Sequence, residues 1–145
     1  MQIHIEEDGR CAETRVVIRC RQMDGQIAAM LAQLRAWDAK LTGEKDGQTY
    51  LLNARDVLYA DTADKRTFLY TDAQVYETPL RLYELEDRLA SQGFLRAGKS
   101  CILNFDKIRS LRPDFGGRLV ATMENGEAVV ITRQYAPAVK SRLGL

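Results

Sequence analysis

Residues 93–100 read GFLRAGKS and match the phosphate-loop pattern G-x-x-x-x-G-K-[ST] at every fixed position. That pattern has mechanical requirements. A strand ends in the glycine-rich loop, a helix opens after it, and loop amides with the helix N-terminus hold the phosphates. Here the flanks stand in reverse order. Upstream, Thr78 is placed to cap a helix, Pro79 fits its first position, and Leu82, Leu85 and Leu89 form its apolar stripe, widened by Leu80 and Tyr83. Gly93 is a natural stop for that helix. Beyond Ser100 the run "CILN" reads as a strand, and Phe94 and Leu95 look like core anchors. No helix dipole is aimed at Lys99. The match therefore argues against nucleotide chemistry, and the chain is expected not to be an enzyme.

Working outward, residues 48–78 contain "QTYLLN", "DVLYAD", "TFLYT" and "QVYET", separated by polar turns such as "TADKR" and "TDAQ". Short segments rich in Tyr, Leu, Val and Thr read as antiparallel strands joined by hairpins. On the other side, "SCILN" and "KIRSL" are strand-like, and "RLVATM" and "EAVVI" flank Glu124-Asn125-Gly126, where Asn-Gly is the strongest short hairpin signal. The ending "TRQYAPAVKSRLGL" predicts a short helix with Pro137 in its first turn, starting near Gln134 or Tyr135. Helices do not alternate with strands, so a parallel α/β sheet is excluded. The fold class is mostly β (α+β): antiparallel sheets with one mid-chain helix and a short C-terminal helix.

The front of the chain differs in texture. "QIHIEE" and "TRVVIRC" read as two strands around the turn-like "EDGRCAE". Asp24 is placed as a helix N-cap, and Ile27, Met30, Leu31, Leu34, Trp37 and Leu41 keep a three-four spacing up to Gly43. Residues 1–42 are thus expected as a strand–strand–helix segment, regulatory or dimerising, with residues 43–145 as the second unit. Such a segment is small for independent folding, so its apolar face is expected to pack on the rest of the chain or on a second copy.

The chain has 145 residues, 46% of them apolar and 28% charged, enough for a core and ordinary for one domain with an appendage. No apolar run nears the roughly 20 residues of a membrane span, and "MQIHIEEDGR" lacks the apolar centre of a signal peptide. Cys11, Cys20 and Cys101 form no C-x-x-C pair and are odd in number, which argues against a disulfide framework and for a cytoplasmic protein. With His4 the only histidine, no metal site and no cofactor are expected. The net charge of +1 hides an asymmetry. Residues 1–43 balance to zero, residues 44–95 carry −4, and residues 96–145 carry +5. The last third is the candidate anion-facing region.

Read as "FLRAGKSCILNFDKIRSL", residues 94–111 resemble the signature of the LytTR family, bacterial transcription regulators with a mostly β DNA-binding domain. The pattern F-x-R-x-H-R-S-x-[IV]-[VL]-N, then an isoleucine, corresponds to Phe94, Arg96, Gly98, Lys99, Ser100, Ile102, Leu103, Asn104 and Ile108. "DVLYAD" is similar to the family's early strand, and "RLVATMENGEAVVITRQY" to its terminal hairpin. The resemblance covers about residues 44–145. Two departures stand out: Gly98 replaces the usual histidine, and Lys99 the usual arginine, which weakens bidentate guanine contact. Forty-odd leading residues cannot form a phosphorylatable receiver domain, so the chain resembles stand-alone members. For those the resemblance implies a membrane-protein inhibitor as a possible partner.

The family sets loops into successive major grooves of double-stranded DNA, which implies three clusters here. Gly98-Lys99-Ser100 offers an ammonium and a hydroxyl. Arg133-Gln134 offers a guanidinium suited to guanine O6 and N7. Lys65-Arg66 offers phosphate contacts that set register. Each has a plainer rival: charges are common in hairpin turns, Ser100 could cap a turn, and Arg133 could pair with Glu124 or Glu127 in a surface bridge of little worth. Arg96 is expected to lie over the core, Asn104 to bond backbone, Cys101 to point inward, and the strand and helix tyrosines Tyr50, Tyr59, Tyr70, Tyr76 and Tyr83 to be core or rim. The implied function is sequence-specific duplex binding by a transcription regulator, dimeric on repeat sites, with no small-molecule substrate. The alternative is a protein-binding module that has kept the fold and lost DNA.

Overall fold

Asp24 opens the first regular element: its Oδ1 accepts from Ile27 N–H at 2.9 Å, a side-chain N-cap as the sequence predicts. The computed structural model describes residues 1–12, 14–37 and 40–145, with the side chains of 36 and 37 left aside. The elements are α1 (Gly25–Trp37), β1 (Lys40–Lys45), β2 (Gln48–Asn53), β3 (Tyr59–Ala63), β4 (Arg66–Tyr70), β5 (Val75–Thr78), α2 (Leu82–Leu89), β6 (Phe94–Gly98), β7 (Cys101–Asn104), β8 (Ile108–Pro113), β9 (Leu119–Met123), β10 (Ala128–Ile131) and α3 (Ala136–Arg142). Seven strands form one sheet in the order β2-β1-β5-β4-β3-β7-β6, and β10-β9-β8 form a second. Pairing is antiparallel in both.

Strand alternation splits the core between the two faces of the central strands. Ala60, Leu69 and Ile102 point to the face covered by Leu82, Leu85 and Leu89 of α2. Ala97 and Leu103 point to the other, where Leu119, Met123 and Ile131 of the small sheet and Val139 of α3 meet them. A fully buried leucine contributes about 1.5–3 kcal/mol. Truncating Leu85, which is 0% exposed, to alanine is expected to cost about 2–5 kcal/mol. Asn104 joins the layers as expected: its Nδ2 donates to the Val57 carbonyl at 3.0 Å and its Oδ1 accepts from Asp106 N–H at 3.1 Å.

The strands from 48 to 78, the 124–126 hairpin and the C-terminal helix appear where the sequence predicts them. Three readings need correction. The helix behind Asp24 is described over Gly25–Trp37, and residues 40–45 are a strand rather than its last turn. Leu41 is 2% exposed in the sheet core, and Asp46-Gly47, both at positive φ, turn β1 tightly into β2. Gly43 is therefore no helix stop. It lets β1 lie close to its neighbours, since a Cβ there would sit 2.7 Å from Tyr76 Cβ. Trp37's place on the apolar stripe lies outside the described side chains.

Second, "QIHIEE" and "TRVVIRC" form no strand ladder among the described residues, and Ile3 and Ile5 stand 82% and 79% exposed. An extended segment becomes a strand only with a partner edge. Third, α2 begins at Leu82. Thr78 is held in the ladder opposite Thr67, its hydroxyl accepts from Leu80 N–H at 3.3 Å, and Glu84 accepts from Arg81 N–H at 3.2 Å to start the helix. Residues 94–98 are a strand as well. Gly93, at φ +82, turns the chain out of the helical region and directly into β6.

Candidate nucleic-acid interface

The stretch that spells a phosphate loop is a strand, β6, and its hairpin turn into β7. No helix follows it, so the loop lacks the anion-binding geometry its letters suggest. What the hairpin does instead is present Lys99 and Ser100 to solvent at the end of the central strands.

Two backbone hydrogen bonds fix what lies beside that turn. Thr62 N–H donates to the Ser100 carbonyl at 3.0 Å, which ties the turn to the end of β3. Asp64 and Lys65 follow there, at φ +52 and +63, as a two-residue turn with both central residues left-handed. On the other side, Thr132 N–H donates to the Ala97 carbonyl at 2.8 Å, and a Cβ on Gly98 would lie 3.4 Å from Thr132 Cγ2. Arg133 and Gln134 follow, both exposed, in a turn closed by Tyr135 N–H on the Thr132 carbonyl at 3.0 Å. The three clusters expected from the sequence thus stand in a row along one edge: Lys65, then Lys99-Ser100, then Arg133-Gln134.

Their side chains are not equally available. Arg66 is committed to the sheet: its Nε and Nη2 bond the Glu77 carboxylate at 2.9 and 2.6 Å, and its guanidinium lies 5.4 Å from the Phe68 ring centre. That hydrogen bond holds the Glu77 carboxyl below its usual range. Gly98 is buried and contributes backbone only. The rival reading for Arg133 does not hold. Glu124 sits 3.5 Å from Lys107 Nζ, and Glu127 accepts from the Tyr59 hydroxyl at 2.5 Å. Among the described residues no carboxylate lies within ion-pair distance of Arg133, Lys65 or Lys99.

Arg96 does more than lie over the core. Its Nη1 donates to the carbonyls of Lys99 at 2.7 Å and Gly98 at 3.4 Å, while Nε pairs with Glu86 of α2. No residue pattern signals this, because both acceptors are backbone carbonyls. Beneath the row, Asp61 stands opposite Cys101 with its Oδ1 lacking a hydrogen-bond partner among the described residues. Burial pushes its carboxyl up, opposed by the Tyr70 hydroxyl. Burial, with the Asp61 charge, also pushes the Cys101 thiol up to about 12. Tyr59 and Tyr70 stack at 4.2 Å between ring centres.

The chain is similar to known proteins. A family profile described as the LytTr DNA-binding domain matches residues 47–144. A solved LytTr DNA-binding domain from Bacillus cereus superposes with a TM-score of 0.70 at 25% identity, covering 74% of this chain and 99% of that one. The sensory transduction protein LytT of Enterococcus faecalis is 29% identical over 100 residues, 69% of this chain but only 41% of the relative's length. An uncharacterised HTH-type transcriptional regulator of Staphylococcus aureus strain MSSA476 is 25% identical over 100% of this chain and 99% of its own. In the present chain α1 and α2 are separated by five strands, so those two helices do not make a helix–turn–helix. No helix among the described residues is long and apolar enough to cross a membrane. Profile and fold agree over more than half of the sequence, and the chain belongs to the LytTr DNA-binding domain family.

Proposed function

We propose that this chain is a transcription regulator that binds duplex DNA sequence-specifically, laying the loops at 64–66, 98–100 and 132–134 into successive major grooves. One observation carries the reading. The Thr62–Ser100 and Ala97–Thr132 hydrogen bonds align three loops on one edge, and each offers a cation without an ion-pair partner among the described residues. Lys65 and Lys99 serve as phosphate or base-edge contacts, Arg133 as the guanine reader, with Ser100 and Gln134 as neutral donors. Arg66 contributes through the Glu77 pair, by stiffening the hairpin. The +5 charge of residues 96–145 draws the duplex to this edge. Retention of duplexes from a random pool, weakened by Arg133→Ala and steeply by added salt, tests the reading.

Residues 1–42 are the regulatory or dimerising part of this proposal. Ile3, Ile5, Val16 and Val17 are exposed, and Val16, Ile18 and Met23 face Ile27, Leu31 and Leu34 of α1 across a groove of about 400 Å³. The first arm carries Glu6, Glu7 and Asp8 and the second Arg15, Arg19 and Arg21, so the segment is self-complementary in charge. A symmetric pair of copies suits two half-sites. Sedimentation of the full chain at micromolar concentration reads a dimer, and Ile5→Asp with Val17→Asp converts it to a monomer. A wild-type monomer across that range contradicts this part. An inhibitory membrane protein would act on the same segment. Gly98, buried and without a side chain, favours the second reading, a protein-binding module. Failure to retain any duplex would support it.

A further inference from the structure

The row of loops has a fourth position. Leu119 pairs with Ile131, so the β8–β9 connection lies beside the turn that follows β10. Gly117, at φ +81, meets Arg133 closely: a Cβ there would stand 3.2 Å from Arg133 Cγ. Two residues earlier, Phe115 is 87% exposed. A lone exposed apolar residue needs no explanation. This one is held in place. Asp114 N–H donates to the Arg118 carbonyl at 2.9 Å, Arg118 Nε donates to the Phe115 carbonyl at 3.1 Å, and Arg118 pairs with Asp114 at 3.3 Å. Gly116 and Gly117 both take positive φ, which makes the clip tight. Arg112 and Arg118 flank it on the exposed side. A loop whose backbone is clipped by three polar contacts, leaving an aromatic ring in solvent beside the cation proposed above to meet DNA, has the build of a contact surface.

We propose that Phe115 is a fourth DNA contact, resting on the duplex-binding reading above. It packs on the apolar edge of the nucleotide next to the one met by Arg133. Two groups share that chemistry, the thymine methyl in the major groove and the deoxyribose rim. Arg118 and Arg112 face the adjoining phosphates. The footprint therefore extends one step past Arg133, on the side away from Lys99.

The test uses the full chain and a duplex selected by the wild type. Phe115→Ala lowers affinity about five- to tenfold, the size of one base contact, and removes protection at the outermost nucleotide on the Arg133 side. Phe115→Leu recovers most of it. Thymine-to-uracil replacement at that nucleotide assigns the contact: wild type weakened and Phe115→Ala unaffected means the methyl, while neither affected means the sugar. Asp114→Asn, which loosens the clip and leaves the ring, gives a smaller loss. Unchanged affinity and footprint for Phe115→Ala on a duplex the wild type binds overturn the proposal. Failure of the wild type to bind any duplex overturns the underlying reading instead.

Discussion

Arg96 Nη1 donates to the carbonyl oxygen of Lys99 at 2.7 Å, from inside a strand to the loop that presents the lysine. With Glu86 on its other side, the guanidinium braces helix α2 against the tip of the β6–β7 hairpin. Arg96 is a positioning residue, and lysine cannot replace it, because an ammonium lacks the planar fork that serves both partners at once. Arg96→Lys should cut affinity for the selected duplex about tenfold. The slope of affinity against salt should stay unchanged, since no phosphate contact is removed. A lowered slope would make Arg96 a direct contact.

Lys99→Ala and Arg133→Ala should differ in kind. A phosphate lysine weakens all duplexes alike and lowers the salt slope by about one, whereas a guanine-reading arginine costs about 1–3 kcal/mol and relaxes preference at one position. Titrations of selected and scrambled duplexes at several salt concentrations separate the two.

Cys101 should be inert in the folded protein. Its thiol is pushed up to about 12 by burial and the Asp61 carboxylate, so little thiolate exists at neutral pH. Cys11 and Cys20 are exposed. A thiol reagent at pH 7.5 should label those two quickly and the third only on unfolding. Fast labelling of all three would contradict the packing of β7.

Asp61 should make stability fall as pH rises through its range. Folding raises its carboxyl above 3.8, so the charged form is disfavoured in the native state and its cost is absent at low pH. Asp61→Asn should therefore stabilise the fold at pH 7. That advantage should shrink as pH falls toward the ordinary aspartate range. Thermal melts of both proteins at pH 4, 5.5 and 7 read the convergence.

Much of this molecule was legible in its letters, because short range carries strand and turn signals. The 48–78 strands are rich in Tyr, Leu, Val and Thr between polar turns, Asn125-Gly126 marks its hairpin, and Gly93 marks the switch out of α2. The row of site loops was legible as three separate clusters. The order along the edge was not, since it depends on the Thr62–Ser100 and Ala97–Thr132 bonds between residues far apart in sequence. Strand β1 was missed because Leu41 continues the helical spacing of α1, and only Asp46-Gly47 signals the hairpin. The front arms read as strands by alternation alone, yet a strand also needs an edge to pair with. Arg96 escaped because its acceptors are carbonyls, and Phe115 because nothing in "PDFGGR" shows that the loop abuts Arg133.

The measurement that tests the central claim most directly is selection of duplexes from a random pool by the full chain at moderate salt, repeated with Lys99→Ala and Arg133→Ala. The account predicts one recurring motif in two half-sites spaced by about one helical turn, roughly 10 base pairs, bound more weakly by both variants and relaxed at one position by Arg133→Ala. No enrichment by the wild type, or variants that bind the motif with unchanged affinity and preference, would contradict it.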